Sequence, residues 1–311
     1  MENPRKLSCP SPLRSLGLLL LAFLVTSFVQ AQTKASCQFT LFPRQFKSNI
    51  GTIDIDPSGV NDFGTVVGDE FNHKLKTNRG FVRGSGGMLT LYDASSTLPN
   101  ATRVATALTA RNDDGITTGY AVDLSTNKFI VFELKESQFT PIELIIGTKM
   151  YKSFAAASIN KWGTIVGYYQ DTNGDFHGFK RWRHGHGFNL DFPGAQETFA
   201  SGINDNGTIV GTYRVGLFPN EQRHGFIYHN GEWATLDYPT SIGQTMLIGI
   251  SNAGLIVGTK NFKGSFLYQN GVFKVIPNLS SIVPTEVTGI SPRHDLITGN
   301  AGSDGFIASC H

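Results

Sequence analysis

"GINDNGTIVGTYR", Gly202 to Arg214, reads as a strand, a turn and a second strand, and it has relatives on both sides. "SINKWGTIVGYYQ" from Ser158 precedes it and "GISNAGLIVGTKN" from Gly249 follows. Aligned on the second glycine, six copies appear: "GVNDFGTVVG" ending at Gly68, "ARNDDGITTG" at Gly119, "SINKWGTIVG" at Gly167, "GINDNGTIVG" at Gly211, "GISNAGLIVG" at Gly258 and a looser "GISPRHDLITG" at Gly299. The intervals are 51, 48, 44, 47 and 41 residues. Self-similarity at this period, in a chain this rich in glycine, marks a solenoid or a propeller.

Each period also carries a second hairpin, such as "HGFIYHNGEWATLDYPT" from His224 or "GSFLYQNGVFKVIPN" from Gly264. One period is therefore four short strands, here called a to d, with Asx-Gly turns that tolerate positive φ in two-residue hairpins. No segment has helical periodicity. The expected fold is all-β, a six-bladed β-propeller with four antiparallel strands per blade. Repeat six ends after its strand c, "DGFIASC", and the missing strand d is supplied by "QFTLFP", Gln38 to Pro43, which resembles "ATLDYP". The N-terminal strand is thus expected to complete the last blade and close the ring.

The ends define compartment and cross-link. Arg5, Lys6 and Arg14 precede the apolar run "LGLLLLAFLVTSFV", and Val29-Gln30-Ala31 supplies the small-x-small cleavage pattern. The run is too short for a bilayer span, so residues 1–31 are expected to be a signal peptide and 32–311 a single secreted or periplasmic domain without an integral membrane segment. Removing the leader leaves 23 basic and 23 acidic residues. That balance supplies no basic patch for nucleic acid. It also removes Cys9, leaving Cys37 and Cys310. Both fall beside the c–d turn of the composite last blade, in reach of a disulfide.

Recurring residues are first read as structure. Phe81, Phe129, Phe179, Phe226, Phe266 and Phe306 are expected to share one packing slot in strand c, each burying about 2 kcal/mol of apolar surface. Asn61, Asn112, Asn160 and Asn204, with Ser251 and Ser291, precede the a–b turn and are expected to cap it. The "IN-x-x-G-x-IVG" and "GF-x-[YW]" elements together resemble the HAF family of extracellular bacterial repeats, whose motif stands here as "HGF" at His177 to Phe179 and His224 to Phe226. The resemblance implies a secreted repeat protein and transfers no catalytic residue. The histidine slot holds Arg79, Asn127 or Lys128, Gly264 and Asp304 in the other repeats.

Variable b–c and d–a loops on one face are the expected binding surface. The residues singled out there are Asp69, Glu70, His73 and Arg79; Asp171, Asp175 and His177; and Arg214, Glu221, Arg223 and His224. Asp171, Asn173 and Asp175 alternate oxygen side chains like a calcium loop but lack its distal glutamate, so a solvated turn is the first reading and calcium the second. His184 and His186 with His177 and His224 hint at a metal, but "HGH" falls in a c–d turn on the opposite face. Asp69, Glu70, Asp171, Asp175, Glu197 and Glu221 are the stock from which a glycosidase pair would come. No nucleophile elbow, phosphate loop, HExxH or CxxC is present. The expectation is a monomeric, non-enzymatic binding propeller for a glycan or an extracellular protein, with no cofactor. The alternative is a polysaccharide lyase or hydrolase.

Overall fold

The computed structural model describes residues 33–48, 51–151, 154–183, 185–216, 219–261, 264–279 and 285–310. The proposed leader and His184 lie outside the described residues. Repeat four is the simplest unit: Glu197–Ile203, Ile209–Val215, Gln222–His229 and Glu232–Thr235 form an antiparallel sheet in the order a-b-c-d. In the last repeat, Thr285–Ile290, Leu296–Ala301 and Asp304–Cys310 are completed by Cys37–Pro43, with Cys37 directly opposite Cys310 and the two joined in a disulfide.

The expectation of six separate four-stranded blades is corrected. The described strands form five sheets, of four, four, five, six and nine strands, in a propeller-like ring. Four sheets stand as separate blades, while repeats one and two share the nine-stranded sheet through a parallel contact of Asn78 with Ala105. The cause lies in the stretch read as a loop from Asp69 to Arg79. Strand b runs on to Asn72 and strand c starts at Thr77, so this is an extended hairpin whose far end meets the next repeat. Two of the other sheets grow at their outer edges. Thr33–Lys34 pairs with strand d of repeat five, and a hairpin of Leu144–Ile146 and Lys149–Tyr151 lies along strand d of repeat three.

Cross-strand pairing explains why the second glycine recurs. Gly68, Gly119, Gly167, Gly211, Gly258 and Gly299 pair with Phe81, Phe132, Phe179, Phe226, Phe266 and Phe306, all fully buried. A Cβ on Gly211 would overlap the Phe199 carbonyl oxygen of strand a and press on the Phe226 ring. The glycine therefore makes room for the ring. In repeat two the slot belongs to Phe132 and not to Phe129, which corrects the expected assignment and moves the histidine-equivalent position from Asn127 or Lys128 to Ile130.

Strand a carries a register shift at the same place in every repeat, for instance between Ala200 and Gly202 and between Leu247 and Gly249. Such bulges bend a strand and add twist. The residue after the bulge is small, being Gly59, Ala110, Ser158, Gly202, Gly249 or Gly289. A Cβ on Gly202 would stand 2.7 Å from the Cα of Gly249. The strands thus converge on an axial cavity of about 60 Å³.

In repeats one to five the a–b turns are three-residue loops rather than the expected two-residue kind, and in repeat six the loop has four residues: in repeat four the Gly207 N–H reaches the Asn204 carbonyl and the Asn204 N–H the Thr208 carbonyl, and in repeat six the Ser291 N–H reaches the Leu296 carbonyl. The expected capping is present. Asn204 Oδ1 accepts from the N–H groups of Asn206 and Thr208, at 3.1 and 3.0 Å. Its Nδ2 has a second task, donating to the Ser251 carbonyl of the next repeat at 3.0 Å. Asn160 does the same to Asn204, Asn112 to Asn160, and Asn61 to Asn112. Buried amides at the turns therefore link neighbouring repeats. The belt closes through Arg293 of the last repeat, which binds Asp62 of the first.

Candidate functional site

The residues singled out from sequence separate into local pairs. Glu70 is fully buried and takes a two-pronged bond from Arg79, Nε to Oε2 at 3.1 Å and Nη2 to Oε1 at 3.0 Å, which staples strands b and c. Asp69 accepts from Asn78 at 3.2 Å, and burial holds its carboxyl above the usual range. His73 Nε2 lies 2.6 Å from Asp54. Arg214 is bonded to Glu197 at 2.7 Å and lies 3.4 Å from Glu221, which in turn meets Arg223 at 3.7 Å. The bond to Glu197 raises the Arg214 pKa against the effect of burial, with Glu221 and Asp175 of the preceding repeat adding to it.

His177 and His224 form matching units. Each Nδ1 meets an aspartate of strand d or just beyond it, Asp191 at 2.9 Å and Asp237 at 2.6 Å. Each ring stacks on a tyrosine, Tyr169 or Tyr213, with centroids 5.2 Å apart. Asp171 Oδ1 receives the N–H groups of Asn173 and Asp175, at 2.8 and 3.0 Å, and so closes its own turn. Burial would raise the Asp171 carboxyl, but these backbone bonds and His177 lower it overall. Among the described residues no group of three or more His, Cys, Asp or Glu side chains is placed to hold a metal. His186 begins strand d of repeat three and is exposed.

The concave surface lies elsewhere. The axial cavity has room for a few water molecules, far below the ~300 Å³ at which ligand sites begin. Two contiguous pockets of about 410 and 320 Å³ open instead between repeats two and three. They share Asn127, Phe129 and Phe154. The outer one is lined by Pro141, Ile142, Met150 and Tyr151; the inner one is walled by Tyr168, Tyr169 and Phe176.

Aromatic rings continue on both sides. Phe129 stacks on Tyr120 at 5.1 Å, and Phe199 of repeat four packs edge-on against Tyr168 at 5.1 Å. Burial raises the Tyr120 hydroxyl pKa, and Asp69 and Tyr168 add to the shift. Tyr169 is raised as well, first by burial and then by Tyr151, while its hydroxyl donates to Asn189 at 2.7 Å. Both phenols stay neutral donors at ordinary pH. The cleft thus offers ring faces beside hydroxyl and amide groups, with Gln170 and Asn127 at its margin. Sequence reasoning passed over these rings because it sought charge in the loops. The signal was present in "GYYQDTNGDFHGF", where aromatics flank the b–c turn on both strands.

Among the described residues no helix is long and apolar enough to cross a membrane. No protein-family model matches the chain, the HAF repeat included, and no curated protein sequence is significantly similar to it. Solved structures share its propeller-like outline at low identity. A gluconolactonase from Xanthomonas campestris is 9% identical, with 90% of this chain and 97% of that one covered and a TM-score of 0.49. A variant of AofleA from Arthrobotrys oligospora with three arginines replaced by alanine is 12% identical, with 90% and 87% covered and a TM-score of 0.48. The fucose-recognising lectin of Aleuria aurantia is 13% identical, with 78% of each chain covered and a TM-score of 0.43. The chain is similar to these proteins in outline alone, and neither an activity nor a ligand passes from them to it.

Proposed function

We propose that this chain is an exported binding protein that holds a carbohydrate chain across the aromatic cleft of repeats two and three. The observation that carries the reading is the pair of joined pockets that share Phe129 and Phe154 and are walled by Tyr168 and Phe176. Sugar rings present C–H faces that lie flat on aromatic side chains, while their hydroxyls need donors and acceptors at the edge. The cleft has both, and the two joined pockets give room for more than one sugar unit. Export through the leader at residues 1–31 and kinship with HAF repeats belong to the same proposal and rest on the sequence elements quoted above.

The test is incubation of residues 32–311 with immobilised neutral polysaccharides, with and without calcium, scoring retention and newly released sugar ends together. Retention without release, lost on Tyr168→Ala, is the expected result. Release of sugar ends would make the protein a hydrolase or lyase instead, and absence of retention would remove carbohydrate as the ligand.

A further inference from the structure

A pocket of about 350 Å³ opens between repeats five and six and shares no residue with the aromatic cleft. Leu255, Leu267 and Val272 give it an apolar wall, and Cys310 of the disulfide also lines it. Two opposite charges belong to the same lining, Lys274 from strand d of repeat five and Asp295 from the a–b turn of repeat six.

Asp295 is the unusual residue. In the other five a–b turns the equivalent position is a glycine with positive φ: Gly64, Gly115, Gly163, Gly207 and Gly254. Asp295 adopts the same left-handed conformation, at φ 52°. A side chain there is strained relative to glycine, and residues held in such conformations concentrate at functional sites. Its Oδ1 is buried without a hydrogen-bond partner among the described residues. A buried carboxylate oxygen left unpaired is costly, and a cation brought close to the same carboxylate would offset that cost. Lys274 stands opposite Leu267 across the strand pair, and it takes part in none of the ion pairs between described residues.

We infer that this pocket binds a free α-amino acid with an apolar side chain. The ligand's ammonium is received by Asp295, its carboxylate by Lys274, and its side chain lies against Leu255, Leu267 and Val272. One carboxylate, one ammonium and an apolar wall are the complement of a small zwitterion. A phosphate ester would want more than one cation, and a neutral sugar would leave both charges unmatched. Binding against Cys310 also stabilises the folded state around the Cys37–Cys310 bond, which slows its reduction by external thiols.

The experiment is calorimetric titration of residues 32–311 with leucine and with phenylalanine, alongside N-acetyl-leucine and leucine methyl ester, each of which lacks one charge. Asp295→Asn retains a residue that accepts the left-handed backbone, and Lys274→Met retains the stem, so both are expected to fold. Leucine binding that weakens at least about tenfold in each variant, with neither blocked analogue bound, is the expected result. A slower reduction of the disulfide by dithiothreitol in the presence of leucine is expected with it. The inference is overturned if neither amino acid binds at millimolar concentration, or if leucine binds both variants as it binds the parent. Tyr168→Ala serves as a control that leaves this site unchanged.

Discussion

Arg293 Nε donates to Asp62 Oδ2 at 2.8 Å across 231 residues, and the backbone N–H groups of Arg293 and His294 reach Asp62 Oδ1 at 2.7 and 2.9 Å. Asp62 is buried, which by itself would raise its pKa. The neighbouring Asp113, which takes the pair's proton first, and the hydrogen bonds from Arg293 and the two backbone N–H groups outweigh that and hold the carboxyl at about 2, below its ordinary 3.8. A depressed carboxyl stabilises the fold above its unfolded pKa, and that contribution is lost as pH falls through the folded value. The difference corresponds to about 2 kcal/mol. Asp62→Asn is expected to unfold at lower urea than the parent at neutral pH, with the gap narrowing as pH is lowered from about 4 to about 2. A gap that stays constant over that range would remove the charge from the explanation.

The repeated glycine and the turn glycine give opposite tests of space and backbone. Gly211→Ala would overlap the Phe199 carbonyl and stand 2.7 Å from the Phe226 ring, whereas Gly207→Ala meets nothing within 4 Å but keeps a φ of +80°. The first is expected to cost about 3 kcal/mol by overpacking and the second about 1 kcal/mol by backbone strain. Urea melts of the two variants should therefore differ clearly, and equal losses would contradict the packing account.

The staple between Cys37 and Cys310 spans 273 residues. Closing so long a loop lowers the entropy of the unfolded chain, and native disulfides typically contribute about 2–5 kcal/mol. Cys37→Ser with Cys310→Ser is expected to melt earlier by that amount. Intact mass should rise by two protons on reduction of the parent and stay unchanged in the double variant.

In the aromatic cleft, Phe129→Ala and Tyr168→Ala are expected to weaken retention of a neutral polysaccharide roughly three- to tenfold each, as loss of one stacked ring implies. Phe132→Ala, three residues along the same strand, is expected to destabilise the fold by about 3 kcal/mol. Thermal melts beside the retention assay separate the two effects.

The parts of this molecule legible in the sequence are those set by short-range chemistry. The Asn204 side chain capping its own turn follows from turn geometry within a few residues, and the position of Cys37 opposite Cys310 follows from laying the composite hairpin on its counterpart in repeat four, where the same contact is local. The slip from Phe132 to Phe129 has a simple cause. "FIVF" offers two phenylalanines three apart, and only the pairing with Gly119 tells them apart. The separate identity of every sheet was not legible, because the contact of Asn78 with Ala105 depends on how far a hairpin projects over its neighbour. The cleft was missed for the same kind of reason. Phe129 and Tyr168 belong to different repeats, and their meeting depends on the angle between sheets rather than on either motif.

The asparagine belt has a consequence for how such a chain arises. Because one amide both finishes its own turn and grips the unit ahead, each of the four copies that carry the asparagine holds plug and socket together. Duplicating a copy therefore duplicates a working joint. Nothing in that joint tells the array when to stop. Termination is written in different chemistry, in the Arg293 that meets Asp62 and in the cysteines borrowed from the two ends. A seventh copy spliced between repeats four and five would find partners on both sides, and it would be the seam, not the newcomer, that failed to meet.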